Sequence, residues 1–333
     1  MGAPRRADPA AGSMSRPAGP HARPRRGAAA LGLLALGLAT GLATAACAGN
    51  PATSPAPATA AAPTTFSALP AGPCGDDQAG RYTSEIFDVA PVRTVTYSGA
   101  LAADLYTPAN DPATCRVGVV WVHGGGFTQF TRDSPAEQAW GAALARRGYT
   151  VASIDYRLGT GEPFGLDDAT TPERQAVVAD AITDAQAAVD WLRGSATDPG
   201  SAAGVDTGVD PGRVAIGGTS AGAMTALGAG LSAGHGDAAD SRPPCGIVAI
   251  AGDLDPDWIA GRPPSVLFVH GDADQLVPYQ SAVDGARLVE RAGGQAEVVT
   301  VPGAGHEITG EPDAELVATV SGWLRGHVAG GCD

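Results

Sequence analysis

From about residue 81 onward, apolar and polar positions follow two different patterns along this 333-residue chain. Residues 92–98 and 101–108 predict an antiparallel pair of strands, and the later apolar runs are continuous and separated by helical segments. Continuous apolar strands are typical of a sheet whose two faces are both covered by helices. The pattern therefore predicts an α/β fold with a mostly parallel, doubly wound sheet of about eight strands. The later strands are expected at residues 116–123, 149–156, 213–218, 246–252, 265–271 and 296–303. Helices are expected at 136–147, after 220, at 280–292 and at 313–327, and a long helix is expected to end with residues 181–194.

The first 73 residues have a different composition. Residues 1–46 are arginine-rich and then apolar, as in a signal peptide. The segment ends in "LATAAC", which resembles a bacterial lipobox and implies lipidation of Cys47, although Thr44 stands where that motif has Leu. Simple secretion and a retained membrane anchor are the alternatives. Residues 47–73 are rich in Ala, Pro and Thr and predict a tether, so the catalytic domain is expected at residues 74–333.

Charge limits the classes of partner. The chain carries 35 acidic side chains against 21 basic ones, and its net charge is −14. Six of the arginines lie in the first 46 residues, so the remainder is more acidic still. Such a surface repels nucleic acid and anionic lipid, and membrane contact is expected only through the N-terminal lipid anchor. The domain is expected to be a monomer.

The cysteines predict disulfides. With Cys47 assigned to lipid, four cysteines remain, and an exported chain meets an oxidising compartment. Cys245 precedes a predicted strand and Cys332 follows the last helix, and both points lie at the same end of an α/β sheet. We therefore predict the pairs Cys245–Cys332 and Cys74–Cys115, with four free thiols as the alternative.

Ser220 is the candidate nucleophile. It is the serine of "GTSAG", a G-x-S-x-G sequence between a predicted strand and a helix. A sharp strand–turn–helix bend there exposes the hydroxyl beside a helix N-terminus, with Gly218 and Gly222 allowing the bend and Gly217 ending the strand. The alternative is an ordinary helix cap.

The sequence "HGGGF" follows the strand at residues 116–123. Glycines let backbone amides approach a substrate carbonyl oxygen, and the amide after the nucleophile completes an oxyanion hole. Gly125, Gly126 and Ala221 are the predicted donors. A glycine loop without catalytic function is the alternative.

Elimination among the six histidines leaves His306 as the candidate base, because it follows the last strand. His21 lies in the signal, His235 and His327 belong to the opposite end of the sheet, His123 braces the glycine loop and His270 is expected to be buried. The acid should follow a strand between serine and histidine, which leaves Asp253, Asp255, Asp272 and Asp274.

The ordered motifs "HGGG", "GxSxG", "HGxxDxxVP" and "GxGH" resemble the α/β-hydrolase superfamily, especially its bacterial esterases, over residues 92–328. The resemblance implies that Asp274 is the triad acid and that residues 155–158 are scaffolding. It also implies hydrolysis of a small or polymer-linked carboxylic ester through an acyl-enzyme. A serine peptidase, another acyl hydrolase and a catalytically silent binding lipoprotein are the alternatives.

No cofactor or metal is expected, since the chain lacks CxxC, HExxH and phosphate-loop sequences. The short connection between residues 252 and 265 leaves no room for a large cap. Residues 159–174 are the predicted wall or lid. Phe127, Phe130, Tyr156 and Trp258 are the candidate pocket aromatics, each of which is also suited to the core.

Overall fold

The computed structural model describes residues 74, 76, 78–197, 207–232 and 242–332. The predicted signal peptide, Cys47 and all of the tether before Cys74 lie outside the described residues. The described residues all belong to one compact unit, Ala62–Asp333.

The chain forms the predicted antiparallel opening pair and then alternates strands with helices. The helix bounds agree with the predicted ones to within one or two residues, except that the long helix α2 ends three residues beyond its predicted end. The strands are β1 (Arg93–Ser98), β2 (Leu101–Tyr106), β3 (Arg116–Val122), β4 (Thr150–Ile154), β5 (Val209–Thr219), β6 (Gly246–Ile250), β7 (Ser265–Gly271) and β8 (Ala296–Val301); the helices are α1 (Pro135–Ala145), α2 (Pro172–Thr197), α3 (Ala221–Leu231), α4 (Tyr279–Arg291) and α5 (Ala314–His327).

All eight strands form one sheet in the order β1-β2-β4-β3-β5-β6-β7-β8. The strands β1, β2 and β4 pair antiparallel, and every pair from β4 to β8 is parallel. The carboxyl ends of β5, β7 and β8 therefore meet at one edge of the sheet, and that edge is where ligands bind in such folds.

Each face of the sheet has its own core. One core packs α2, α3 and α4 against the strands. The other packs α1 and α5, and in it the rings of Trp121 and Trp140 lie 4.5 Å apart between centroids. The continuous apolar strands are explained by this burial on both sides.

Residues 251–264, which connect β6 and β7, contain a single short 3-10 helix, Pro256–Trp258. No large cap therefore lies in this connection, as the sequence predicted. None of the described helices is both long enough and apolar enough to span a membrane.

Two disulfides join Cys74 to Cys115 and Cys245 to Cys332, the predicted pairs. Cys245 directly precedes β6, and Cys332 follows α5, so the second bond ties the end of the chain to the central sheet. Disulfides of this kind are typical of proteins that fold in an oxidising compartment.

Candidate active site

Ser220 lies on the sharp turn between β5 and α3. Its backbone has φ 53° and ψ −122°, a conformation that L residues rarely adopt. A Cβ on Gly218 would lie 2.4 Å from the carbonyl oxygen of Val122, and one on Gly222 would lie 2.1 Å from the same atom. Both positions therefore require glycine, and the strained turn presents the Ser220 hydroxyl at the edge of the sheet.

Gly217 does not end the strand, because β5 continues to Thr219. A Cβ on Gly217 would lie 3.0 Å from both the Trp121 ring and the Val248 Cβ atom. The prediction for this glycine was wrong. Its place is set by close packing of β5 against neighbouring strands.

The structure brings His306 and Asp274 to Ser220. The His306 Nε2 atom lies 3.0 Å from the Ser220 Oγ atom, and its Nδ1 atom lies 2.7 Å from the Asp274 Oδ2 atom. His306 begins a short 3-10 helix after β8, and Asp274 follows β7. The three side chains form one continuous hydrogen-bond chain from strand ends that are distant in sequence.

The Asp274 carboxylate is held by several donors. Burial alone would raise the pKa of Asp274, but hydrogen bonds from His306 and from the amides of Val277 and Leu276 hold it below its ordinary value. The two amides bond the Oδ1 atom at 3.0 and 2.8 Å. Asp274 is therefore ionised at neutral pH and orients the His306 ring.

The other candidate acids do not contact His306. Asp272 is exposed and accepts the amide hydrogen of Gly303 at 2.6 Å, which fixes a turn. Asp255 caps a short 3-10 helix by accepting from Asp257. Asp253 is half-buried, and burial raises the pKa of its carboxyl.

The other described histidines are held by backbone carbonyls. The buried His123 bonds its neighbour Gly124 at 2.8 Å through Nδ1. The buried His270 donates from Nε2 to the Val277 carbonyl at 2.9 Å, and the same atom lies 3.5 Å from Asp274. His327 bonds the carbonyl of Trp323 within α5. His21 and His235 lie outside the described residues.

The glycine loop after β3 contains two glycines with positive φ. Gly125 and Gly126 have φ values of +99° and +54°. A Cβ on Gly125 would lie 2.3 Å from the Gln129 carbonyl oxygen, and one on Gly126 would lie 2.5 Å from Pro163. Glycine is therefore required at both positions.

The backbone amides of Gly125, Gly126 and Ala221 bond to no acceptor within the described parts of the chain. All three residues line the cavity that contains Ser220. Unbonded amides beside a serine hydroxyl can donate to an oxygen that becomes negatively charged.

The loop is supported from β4. The Tyr156 hydroxyl lies 3.1 Å from the carbonyl oxygen of His123 and 3.3 Å from that of Gly124. The Asp155 carboxylate pairs with Arg132 at 2.5 Å. Residues 155–158 are thus placed as scaffolding near the loop.

Ser220 and His306 lie in the wall of a cavity of about 730 Å³. Residues 163–168, from the predicted wall at 159–174, belong to its lining, and Phe130 lies at its mouth with 58% of its surface exposed. The Leu276 side chain, 71% exposed, also lines it.

Three of the four candidate pocket aromatics, Phe127, Tyr156 and Trp258, lie outside the cavity lining, which corrects the prediction for them. Phe127 is fully buried in the core and stacks on Phe164, with ring centroids 5.3 Å apart. Tyr156 is buried under the glycine loop. Trp258 packs against α3 at Gly228.

The sequence did not single out Glu137, which also lines the cavity. Only 3% of its surface is exposed, and burial raises the pKa of its carboxyl to about 7. Glutamate in the first turn of a helix is common, so its position at the start of α1 carries no signal of a pocket role. Among the described residues, no three His, Cys, Asp or Glu side chains are grouped to hold a metal ion.

The eight-stranded sheet with helices on both faces, together with the serine turn and the glycine loop, defines an α/β-hydrolase fold. Residues 103–242 match the family model described as BD-FAE, and residues 255–331 match the prolyl oligopeptidase family, each of which covers less than half of the chain. The first match contains Ser220 and the glycine loop, and the second contains Asp274 and His306.

Solved structures with this fold include esterases. A truncated form of a carbohydrate esterase from gut microbiota is 20% identical, with a TM-score of 0.56, over 74% of this chain and 98% of that one. The butyrate-bound thermophilic esterase Est2 of Thermogutta terrifontis is 21% identical, with a TM-score of 0.55, over 74% of this chain and 96% of that one. Esterase 2 of the same organism phosphorylated by paraoxon is 21% identical, with a TM-score of 0.54, over 73% and 94% of the two chains.

Proposed function

We propose that the protein is a serine hydrolase that cleaves carboxylic esters. The observation that carries this proposal is the hydrogen-bond chain from Ser220 through His306 to Asp274, beside unbonded amides in the wall of one cavity. A nucleophile, a base and an oriented acid at the same sheet edge are the parts that acyl transfer requires.

In the first half of the proposed reaction, the Ser220 Oγ atom attacks the ester carbonyl carbon and passes its proton to the His306 Nε2 atom. The carbonyl oxygen becomes an oxyanion and accepts hydrogen bonds from the amides of Gly125, Gly126 and Ala221. The tetrahedral intermediate then expels the alcohol, which takes the proton from His306. An acyl group is left on Ser220.

In the second half, water gives a proton to His306 and attacks the acyl carbonyl carbon. Collapse of this intermediate breaks the bond to Ser220, and His306 returns the proton to the Ser220 oxygen. The acid product then leaves. Throughout, the negative charge of Asp274 stabilises the protonated imidazole and fixes its orientation.

Esters are favoured over amides because the structural neighbours named above are esterases, one of them with butyrate bound. The match of residues 255–331 to the prolyl oligopeptidase family supports peptide hydrolysis as the second candidate. Paired nitrophenyl butyrate and dipeptidyl nitroanilide substrates separate the two. Hydrolysis of the ester without release from the anilide supports the first candidate, and turnover of the anilide supports the second.

The substrate proposed is a small or polymer-linked ester. The short connection between β6 and β7 adds no large cap over the cavity. Nitrophenyl esters of increasing acyl length measure which chains the cavity accepts. A maximum at two to six carbons would indicate a short-acyl esterase, and a maximum beyond ten would indicate a lipase.

We also propose that the domain is exported and monomeric. The two disulfides support an oxidising compartment. In this proposal residues 1–46 are the signal, Cys47 carries lipid and residues 47–73 tether the domain, with no nucleic-acid partner. Membrane fractionation of wild type and Cys47→Ala tests the anchor: lipidation predicts that the variant leaves the membrane fraction. Size-exclusion chromatography with light scattering measures the oligomeric state.

The experiment that tests the proposed function is hydrolysis of nitrophenyl butyrate by wild type, Ser220→Ala and His306→Ala. Removing a triad member lowers kcat by several orders of magnitude in enzymes of this mechanism. A wild type without activity, or a Ser220→Ala variant as active as the wild type, contradicts the proposal.

A further inference from the structure

Among the residues that the structure describes, those that line the cavity containing Ser220 include several acids and no arginine. Glu137 lies in its wall, buried, and four more carboxylates line it; they belong to Asp167, Asp168, Asp253 and Glu311. The chain contains no lysine. A substrate that enters therefore meets several carboxyl groups, and within the described lining His306 is the residue that can carry positive charge.

Glu137 differs from the other four because its side chain is almost completely withdrawn from bulk water, with 3% of its surface exposed. Asp167, Asp168 and Glu311 are exposed, and Asp253 is half-buried. Among the described residues, the hydrogen bond to the Glu137 carboxyl comes from its own backbone amide, and no cationic side chain pairs with it. Buried carboxyl groups are ordinarily paired, since an unpaired one costs stability.

Burial raises the pKa values of the nearby Tyr106 and Tyr156 hydroxyls, and the Glu137 charge adds to this rise, but in the described part of the chain neither hydroxyl pairs with the Glu137 carboxyl. The Tyr156 hydroxyl is directed to the carbonyl oxygens of the glycine loop. The Tyr106 ring packs against α1 at Gly141. The fold alone thus gives no reason for an acid at this position, where glutamine or an apolar side chain would be buried at less cost.

We propose that Glu137 is a specificity-determining residue that binds a hydroxyl or cationic group of the substrate in the same cavity in which Ser220 attacks the ester. This inference rests on the proposed function. A hydroxyl can donate a hydrogen bond to the carboxylate, and a cation is attracted by its charge. A substrate that carries its own carboxylate is repelled by Glu137 and by the acids at the rim.

The same arrangement bears on product release. Hydrolysis of an ester leaves a carboxylic acid, which is ionised at neutral pH. In a cavity lined by carboxylates, this product is repelled while the neutral ester is not. Discrimination against anions and weak inhibition by the acid product therefore have one physical cause.

The test uses esters of equal length that differ in one terminal group: methyl, hydroxyl, trimethylammonium or carboxylate. One series carries the group on the acyl chain and the other on the alcohol, and acid release is followed in a pH-stat at pH 8. In one of the series, wild type should favour the hydroxyl and trimethylammonium esters over the methyl ester. The expected factor is on the order of tenfold in kcat/KM, as for a hydrogen bond to a charged group. The carboxylate ester should be disfavoured by a similar factor.

Two variants identify the group responsible. Glu137→Gln keeps a polar partner for the hydroxyl but removes the charge, so the trimethylammonium advantage should be lost and the carboxylate penalty should shrink. Glu137→Leu should lose the hydroxyl advantage as well. Glu297→Gln, which removes an exposed acid on β8 outside the cavity lining, should keep the wild-type ratios.

The outcomes separate this inference from the proposed function. A wild type that hydrolyses the methyl ester, next to an inactive Ser220→Ala variant, supports the function whatever the ratios are. Equal rates for all terminal groups in both series overturn the role of Glu137. Wild-type ratios in Glu137→Gln also overturn it, and this variant decides the matter if Glu137→Leu fails to fold.

Discussion

Replacing Glu137 by glutamine should stabilise the folded protein, and by more at pH 8 than at pH 5. Burial raises the pKa of this carboxyl from 4.5 to about 7. The folded state therefore binds the proton more tightly than the unfolded state does. Below pH 4.5 both states are protonated and the carboxyl costs nothing. As the pH rises from 4.5 to 7, the unfolded state gains from ionisation that the folded state resists, and the cost is complete above about pH 7.

The two pKa values set the size of the effect. At about 1.4 kcal/mol per pKa unit, their separation corresponds to about 3 kcal/mol at pH 8 and to less than about 1 kcal/mol at pH 5. Glutamine has nearly the same shape and cannot ionise, so it removes this cost. The gain at pH 8 is at most this figure, because the amide must still be accommodated beside α1.

The assay is urea unfolding of wild type, Glu137→Gln and Glu297→Gln at pH 5, 6, 7 and 8, with the disulfides kept oxidised. The difference in free energy of unfolding between Glu137→Gln and wild type should grow with pH and level off above about pH 7. The exposed control Glu297→Gln should show no such trend. A Glu137→Gln variant less stable than wild type at pH 8, or a difference independent of pH, refutes the reasoning about the buried carboxyl.

Three further predictions follow from the contacts described. Asp274→Asn should lower kcat by about four orders of magnitude by removing the charge that orients His306, whereas Asp272→Asn should have a small effect; the reverse in steady-state assays would reassign the acid. Gly222→Ala places a Cβ 2.1 Å from a carbonyl oxygen of β3, so activity and thermal stability should both fall, and unchanged values would contradict the packing of this turn. Replacing both Cys245 and Cys332 by alanine opens a link across 87 residues and should lower the free energy of unfolding by about 2–5 kcal/mol, while an unchanged urea midpoint would exclude a stabilising bond.

The fold was predictable because its signals are local. Continuous apolar runs mark strands buried on both faces, and the five strands β3 to β7 show them, whereas β8 at the sheet edge has no fully buried residue. The antiparallel opening pair was also predicted. The order of strands in the sheet, with β4 between β2 and β3, is set by pairings distant in sequence, and no single segment encodes it.

Positions near Ser220 were predictable for a related reason. A strained turn and a crowded loop demand glycine at specific positions, so steric needs such as those at Gly222 and Gly126 are visible in the sequence. The position of Gly217 inside β5 was missed because glycine is also common where strands end.

The cavity lining was poorly predicted. Aromatic residues suit both cores and pockets, and Phe127, Tyr156 and Trp258 proved to be packed away from the cavity. Glu137 was missed because an acid in the first turn of a helix is usually exposed and favourable there. Its burial depends on how α1 packs beside the glycine loop, which is a property of the whole fold.

The most direct test of the account is labelling of the purified protein with a fluorophosphonate, read by intact mass and peptide mapping. An activated Ser220 predicts one adduct on wild type, located on Ser220, and none on Ser220→Ala. A wild type that remains unmodified, or an adduct that forms equally on both proteins, would contradict the claim that Ser220 is an activated nucleophile.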